Sequence, residues 1–379
     1  MNRIYMDYAA TTPIRGEVVE VMTKCMKENF GNASSRYKEG ATSKKLIDEA
    51  RGEVANLVGS LNPESIVFTS GGSEGDNWVL KSVAYDMRPF GNHIITTKIE
   101  HPAILNTCEF LETRGVKVTY LDVNSDGFVD PADVERAITK DTILISVMMV
   151  NNEIGTIQPI REIGDIARKY NVLFHTDAVQ AVGSIDIDVE ELKVDFLTMS
   201  AHKFYGPKGI GALYVRDRHI TSLIHGGEQE FGMRAGTENV PAIVGMGCAA
   251  KIAKEKMKEY SEKLLSLRNY FLNEVSHRVS GVKLNGSLDS RHPGNLNLMF
   301  DGIENDSILM MLDAFGISVS TGSACHSHSL SPSHVLRAIG LQDSEVFKSI
   351  RFTLGDHTTK EDIDHVVRQL KFITNLLRE

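Results

Sequence analysis

Between about residue 40 and residue 250, short β-branched and apolar runs alternate with helical stretches. The runs are IVFTS (66–70), HIITT (93–97), KVTYL (117–121), TILISVMMV (142–150), VLFHTD (172–177) and DFLTMS (195–200). Strands separated by helices need crossover connections, and these give a mostly parallel sheet. Several runs are apolar on both faces, as strands covered by helices on each side must be. From about residue 253 the pattern changes. A charged helix, IAKEKMKEYSEKLLSLRNYFLNEVSHRV, is followed by a strand-like NLNLMF (295–300), a helix over SILMMLDAFG and a closing amphipathic helix, TKEDIDHVVRQLKFITNLL. The expected architecture is a large α/β domain over residues 13–252 and a smaller α+β domain built from 1–12 and 253–379. No linker or repeat separates them, so a long helix is expected to join them directly.

At 379 residues, with 42% hydrophobic and 24% charged, the chain can bury one large core or two smaller ones. A formal net charge of -9 offers no basic surplus for nucleic acid or anionic lipid. No apolar run approaches the roughly 18 residues that span a bilayer. The opening MNRIYMDYAATT lacks the basic, apolar, small-residue order of a signal peptide, so the expected location is the cytoplasm. Cys25, Cys108, Cys248 and Cys325 include no CxxC pair and fit neither a disulfide framework nor a four-thiolate zinc site.

Polar residues placed just after strands are the ones to weigh, because open α/β sheets bind ligands at the carboxyl ends of their strands. TSGGSEGDN (69–77) follows one run and precedes a helical stretch, where free N–H groups and a helix dipole would meet an anion; ordinary loop material is the other reading. Asp177 ends VLFHTD and either caps a following helix or serves as a buried anion that keeps a pyridine nitrogen protonated. Lys203 follows DFLTMSAH and precedes a Gly-rich turn. Most lysines are solvated, but one flanked by Ser200, His202 and close glycines after a buried strand is a Schiff-base candidate.

Taken in order, TSGGSEGDN, IEHPAILN, VNNEIGTIQPI, HTDAVQAVG, SAHKFYGPKGIGALYVR, MRAGTEN, STGSACHSHSLSPSHVLRAIG and SIRFTLG resemble the motif series of NifS/IscS-type cysteine desulfurases. These are class V aminotransferase-like enzymes of pyridoxal-phosphate (PLP) fold type I, and the motifs cover nearly the whole chain. The resemblance implies a mostly parallel seven-stranded sheet in the large domain and PLP as cofactor. It implies conversion of L-cysteine to L-alanine with a persulfide on Cys325, a homodimer, and a protein sulfur acceptor serving iron–sulfur assembly, tRNA thiolation or cofactor biosynthesis. By similarity Lys203 carries the cofactor and abstracts the substrate α-proton, Asp177 pairs with the pyridine nitrogen, and Gln180 bonds the ring hydroxyl. His101 stacks on the ring and moves protons. Gly72, Ser73, Ser200 and His202 surround the phosphate and the lysine, and Thr237 contributes across a dimer interface. Asn152 and Arg351 hold the substrate carboxylate; the other reading of Arg351 is an ordinary surface salt bridge.

Cys325 lies in a polar stretch with few apolar anchors, STGSACHSHSLSP, which predicts a loop that can move and resembles the long-loop subgroup of the family. Relatives have a small polar residue after the catalytic cysteine, whereas here His326, Ser327 and His328 follow. The two imidazoles are solvated loop residues, tune the thiolate, or join Cys325 in a metal site. Tyr37 and Asp356 stand where relatives often carry histidine and arginine. The chain stops soon after LLRE, which favours an acceptor other than the iron–sulfur scaffold. DVNSDG (122–127) opens like a calcium loop, but its twelfth position is Asp133, so an acidic turn is expected. A selenocysteine lyase or an aminotransferase would keep the cofactor and change the reaction; a non-catalytic Cys325/His326/His328 metal platform would leave Lys203 idle.

Overall fold

The computed structural model describes residues 3–217, 220–321 and 332–379. Its strands are β1 (Ile4–Tyr5), β2 (Ile66–Thr69), β3 (His93–Thr97), β4 (Lys117–Leu121), β5 (Thr142–Ser146), β6 (Leu173–Asp177), β7 (Phe196–Ser200), β8 (Gly211–Val215), β9 (Val282–Leu284), β10 (Asn295–Phe300), β11 (Ile317–Ser318) and β12 (Ser349–Thr353). The α-helices are α1 (Gly16–Glu28), α2 (Lys38–Leu57), α3 (Gly72–Asp86), α4 (Pro102–Glu112), α5 (Pro131–Ala137), α6 (Ile160–Tyr170), α7 (Val240–Arg278), α8 (Asn305–Ala314), α9 (His334–Ala338), α10 (Asp343–Val346) and α11 (Lys360–Leu376).

A seven-stranded sheet runs in the order β2-β8-β7-β6-β5-β3-β4. The five strands from β7 to β4 are mutually parallel, while β8 lies antiparallel to both β2 and β7. The six apolar runs all supply strands of this sheet, and the expected α/β fold type I architecture is the one observed. The seventh strand, β8, arises from IGALYV directly after the Lys203 turn. Its short return from β7 makes an antiparallel pair the natural outcome.

The run 142–150 is strand only to Ser146. Beyond it, the N–H groups of Val147 and Met149 still donate to β6 carbonyls, at His175 and Asp177. The Met148 N–H points to the other side, where β3 has already ended, and both oxygens of the Glu100 carboxylate accept it at 3.0 and 3.1 Å. A side chain thus replaces the missing strand.

A second, antiparallel sheet runs β12-β10-β9, and β1 pairs in parallel with β11. The charged helix expected from residue 253 starts earlier, at Val240, where the Asn239 side chain accepts from Ala242 N–H. α7 is 39 residues, roughly 58 Å long. Its first half packs Val240, Ile243, Met246 and Met257 against the large sheet's core. Its second half packs Leu264, Phe271 and Val275 into a separate core with Met6, Phe300, Phe352 and Leu370.

Candidate active site

The carboxyl ends of β2, β6 and β7 open on a cavity of about 400 Å³ lined by residues from 9 to 351. At one end is the start of α3. Gly72 and Ser73 are its first two residues, so their backbone N–H groups have no partner inside the helix and the dipole's positive end faces the cavity. A methyl group on Gly72 would come within 2.8 Å of Val179 Cγ2, so the close approach of the helix start to the turn after β6 favours glycine.

Asp177 closes the other end. No helix follows it, so it is not a helix cap: the next residues are turns, and its Oδ1 accepts from Val179 N–H at 2.9 Å. Burial raises its pKa, opposed by His101, by that N–H and by the Lys203 charge. A carboxyl so placed awaits a cationic partner.

Lys203 ends the short 3₁₀ turn Ala201–Lys203 after β7, and its amine donates to the carbonyls of Ala9 and, at 2.8 Å, Ala10. Gln180 Nε2 donates to the same Ala9 carbonyl at 3.0 Å. Ser200 and His202 flank the lysine in the lining. Burial, then Lys203 and Lys208, lowers the His202 pKa to about 4, so its ring is neutral; Nδ1 lies 3.1 Å from Thr11 Oγ1.

His101 caps α4: its Nδ1 accepts from Ala103 N–H at 3.1 Å, which places the proton of the neutral ring on Nε2. Arg351, from the middle of β12, is 2% exposed; it donates to Asn152 O at 2.9 Å and to Asp7 Oδ1 at 2.7 Å. Arg351 thus forms a salt bridge, but one buried in the cavity wall rather than the surface pair considered from sequence. Its Nε is buried without a hydrogen-bond partner.

Ten of the sequence-derived residues thus meet in one cavity: Gly72, Ser73, His101, Asn152, Asp177, Gln180, Ser200, His202, Lys203 and Arg351. Thr237 does not line it and is exposed. Cys325, His326 and His328 lie outside the described residues. Tyr37 is exposed at the start of α2, and Asp356 pairs with Arg15 at 2.6 Å away from the cavity lining. In DVNSDG the Asn124 side chain accepts from Asp126 and Phe128 N–H groups, which makes it a closed turn, and Asp133 sits on α5.

Sequence reasoning missed Asp7, Asp76 and the Ala9 and Ala10 carbonyls. Asp76 was recoverable: it lies four residues after Gly72, on the same face of α3. Nothing local marks the two carbonyls, because any residue supplies one.

The aminotransferase class-V family model matches residues 4–366. The chain belongs to this family, in its NifS/IscS-type cysteine desulfurase branch. It is 53% identical to the cysteine desulfurase IscS of Dictyoglomus turgidum, covering 100% of this chain and 96% of that one. It is 50% identical to the IscS of Methanosarcina thermophila, covering 99% and 93%. A solved NifS-like protein superimposes with a TM-score of 0.93 at 37% identity, over 99% of this chain and 100% of the other. SspA, solved in complex with cysteine, gives 0.83 at 39% identity, over 94% and 100%.

Proposed function

We propose that this branch member binds PLP in the cavity, converts L-cysteine to L-alanine and holds the released sulfur as a persulfide on Cys325 for transfer to a protein acceptor. One observation carries the reading: an anion cradle, an amine and a buried carboxylate line a single cavity, which fits a phosphate-bearing pyridine aldehyde. Gly72, Ser73 and Ser200 would hold its phosphate, Lys203 its aldehyde carbon, Asp177 its ring nitrogen, and Gln180 its hydroxyl. When bound, PLP supplies an electron sink for the substrate carbon bearing the amino group.

The remaining chemistry belongs to the protein. Arg351 and Asn152 hold the substrate carboxylate, and the guanidinium fork matches its two oxygens. The Lys203 amine would take the α-proton, and His101 Nε2 would offer a proton within the same cavity. In the net reaction the substrate C–S bond breaks and an S–S bond forms at Cys325. Carbon is reduced to the methyl of alanine while sulfur is oxidised to the persulfide level, so no external oxidant is needed.

The domain division at residues 12/13 and 252/253 is likewise our reading, supported by the change of core along α7 between Met257 and Leu264. A homodimer in which Thr237 serves the partner's site is supported by its exposure outside its own cavity. Cytoplasmic residence is supported by the free thiols of Cys25, Cys108 and Cys248 and by the absence, among the described residues, of a helix long and apolar enough to cross a membrane.

The deciding experiment is mass spectrometry after incubation with cysteine. One added sulfur on the Cys325 peptide with stoichiometric alanine is expected; full turnover by Cys325→Ala would refute the mechanism.

A further inference from the structure

Asp76 stands one turn along α3 from the Gly72–Ser73 cradle and lines the cavity beside Asp177. It is 1% exposed, and its Oδ1 has no hydrogen-bond partner. The chemistry assigned above does not use it. The titratable and polar groups that face it come from several elements. Asp177 and His175 belong to β6, with His175 Nε2 3.7 Å from Asp76 Oδ1. Thr198 of β7 brings its hydroxyl to the carboxyl, and Glu100 follows β3.

None of these is a counter-cation. His175 is fully buried, and burial lowers its pKa to about 3, so it is neutral. Its nitrogens are taken by Ser146 Oγ and Thr198 Oγ1, each at 2.9 Å. The cation of the cavity, Lys203, acts instead on Asp177, which also accepts the Val179 N–H. Two neighbouring carboxylates in a desolvated site cannot both ionise without a cation for each.

We propose that Asp76 is a positioning residue that keeps its proton and thereby leaves Asp177 as the single anion at the ring-nitrogen end of the cavity. The functional part of this inference rests on the PLP reading; the protonation of the acid pair does not. Burial, followed by the charge of Asp177, pushes Asp76 well above the usual carboxylate range, in the same direction. A hydrogen-bond polarity follows. Protonated Asp76 donates to Thr198 Oγ1, Thr198 passes its own hydrogen to His175 Nε2, and the imidazole proton sits on Nδ1 facing Ser146. With Asp76 ionised, Thr198 would donate to the carboxylate and the imidazole proton would move to Nε2.

The test is a set of infrared difference spectra across pH, full-length chain against Asp76→Asn, recorded with and without added PLP. At neutral pH a protonated-carboxyl C=O band present in the parent and lost in Asp76→Asn is expected. In Asp177→Asn, or Asp177→Ala if the first does not fold, that band should titrate about one unit lower or more, the signature of an interacting pair. Asp76→Leu, which strands the Thr198 hydroxyl, should bind PLP about tenfold more weakly than Asp76→Asn. Absence of the band at neutral pH, a titration unmoved by the Asp177 substitutions, or equal PLP affinity in the Leu and Asn variants would overturn the proposal. Band and shift in a protein that binds no PLP would uphold the acid pair and remove the cofactor reading.

Discussion

Replacing Arg351 by lysine tests the substrate end of the site most directly, because it keeps the charge and removes the fork. The guanidinium is 2% exposed, spends one nitrogen on Asn152 O and another on Asp7, and is the only arginine lining the cavity among the described residues. A hydrogen bond to a charged group contributes about 1.5–3 kcal/mol, and 1.4 kcal/mol is about tenfold in rate. Lysine returns a point charge without the planar two-nitrogen fork, so kcat/KM for cysteine should fall roughly tenfold to a hundredfold, mostly through KM. The assay is alanine formation at several cysteine concentrations, beside a thermal melt. A purely structural salt bridge to Asp7 would lower the melting temperature and leave KM alone. A kcat/KM within about threefold of the parent would therefore refute carboxylate binding by Arg351.

Lys203→Ala should abolish the covalent cofactor chromophore, and an unchanged absorption spectrum after reconstitution would contradict its assignment. His175 is neutral when folded and charged when unfolded below about pH 6.5, so the unfolded state binds the extra proton there. Stability should fall by about 1.4 kcal/mol per pH unit as pH drops from about 6.5 towards about 3, a slope that denaturant titrations of His175→Asn should lack. Glu100 works in the opposite sense: burial raises its pKa to about 8, so its contribution is complete below about pH 4.5 and lost as pH rises through 8. Glu100→Gln should show a smaller stability loss over that window in the same titrations. Mixing Lys203→Ala and Thr237→Ala chains should restore one intact site per hybrid dimer; activity no higher than that of either parent variant would place Thr237 outside the partner's site.

The strands were legible because burial on both faces leaves an apolar signature in a few consecutive residues, as in HIITT, matched to the residue by the fully buried β3, while β-branched residues marked the edge strand β4 at KVTYL. The end of β5 was not, since it depends on where β3 stops and on the Glu100 carboxylate that takes over from it. Lys203 and Asp177 stood out because strand ends concentrate chemistry in this architecture. Asp7 was invisible in the same way that Ala9 and Ala10 were: its partner Arg351 is 344 residues away, and no local pattern encodes a contact at that range.

That same distance orders events during synthesis. The carbonyls of Ala9 and Ala10 that receive the Lys203 amine leave the ribosome well before it, and Arg351 well after it. A nascent chain holding the complete seven-stranded sheet still lacks the wall built from β12. On the proposed roles, the substrate end of the cavity therefore waits for β12, whereas the cradle at α3 and the strands β6 and β7 beside it are translated earlier. With those roles, the cofactor end of the cavity is translated before its substrate end.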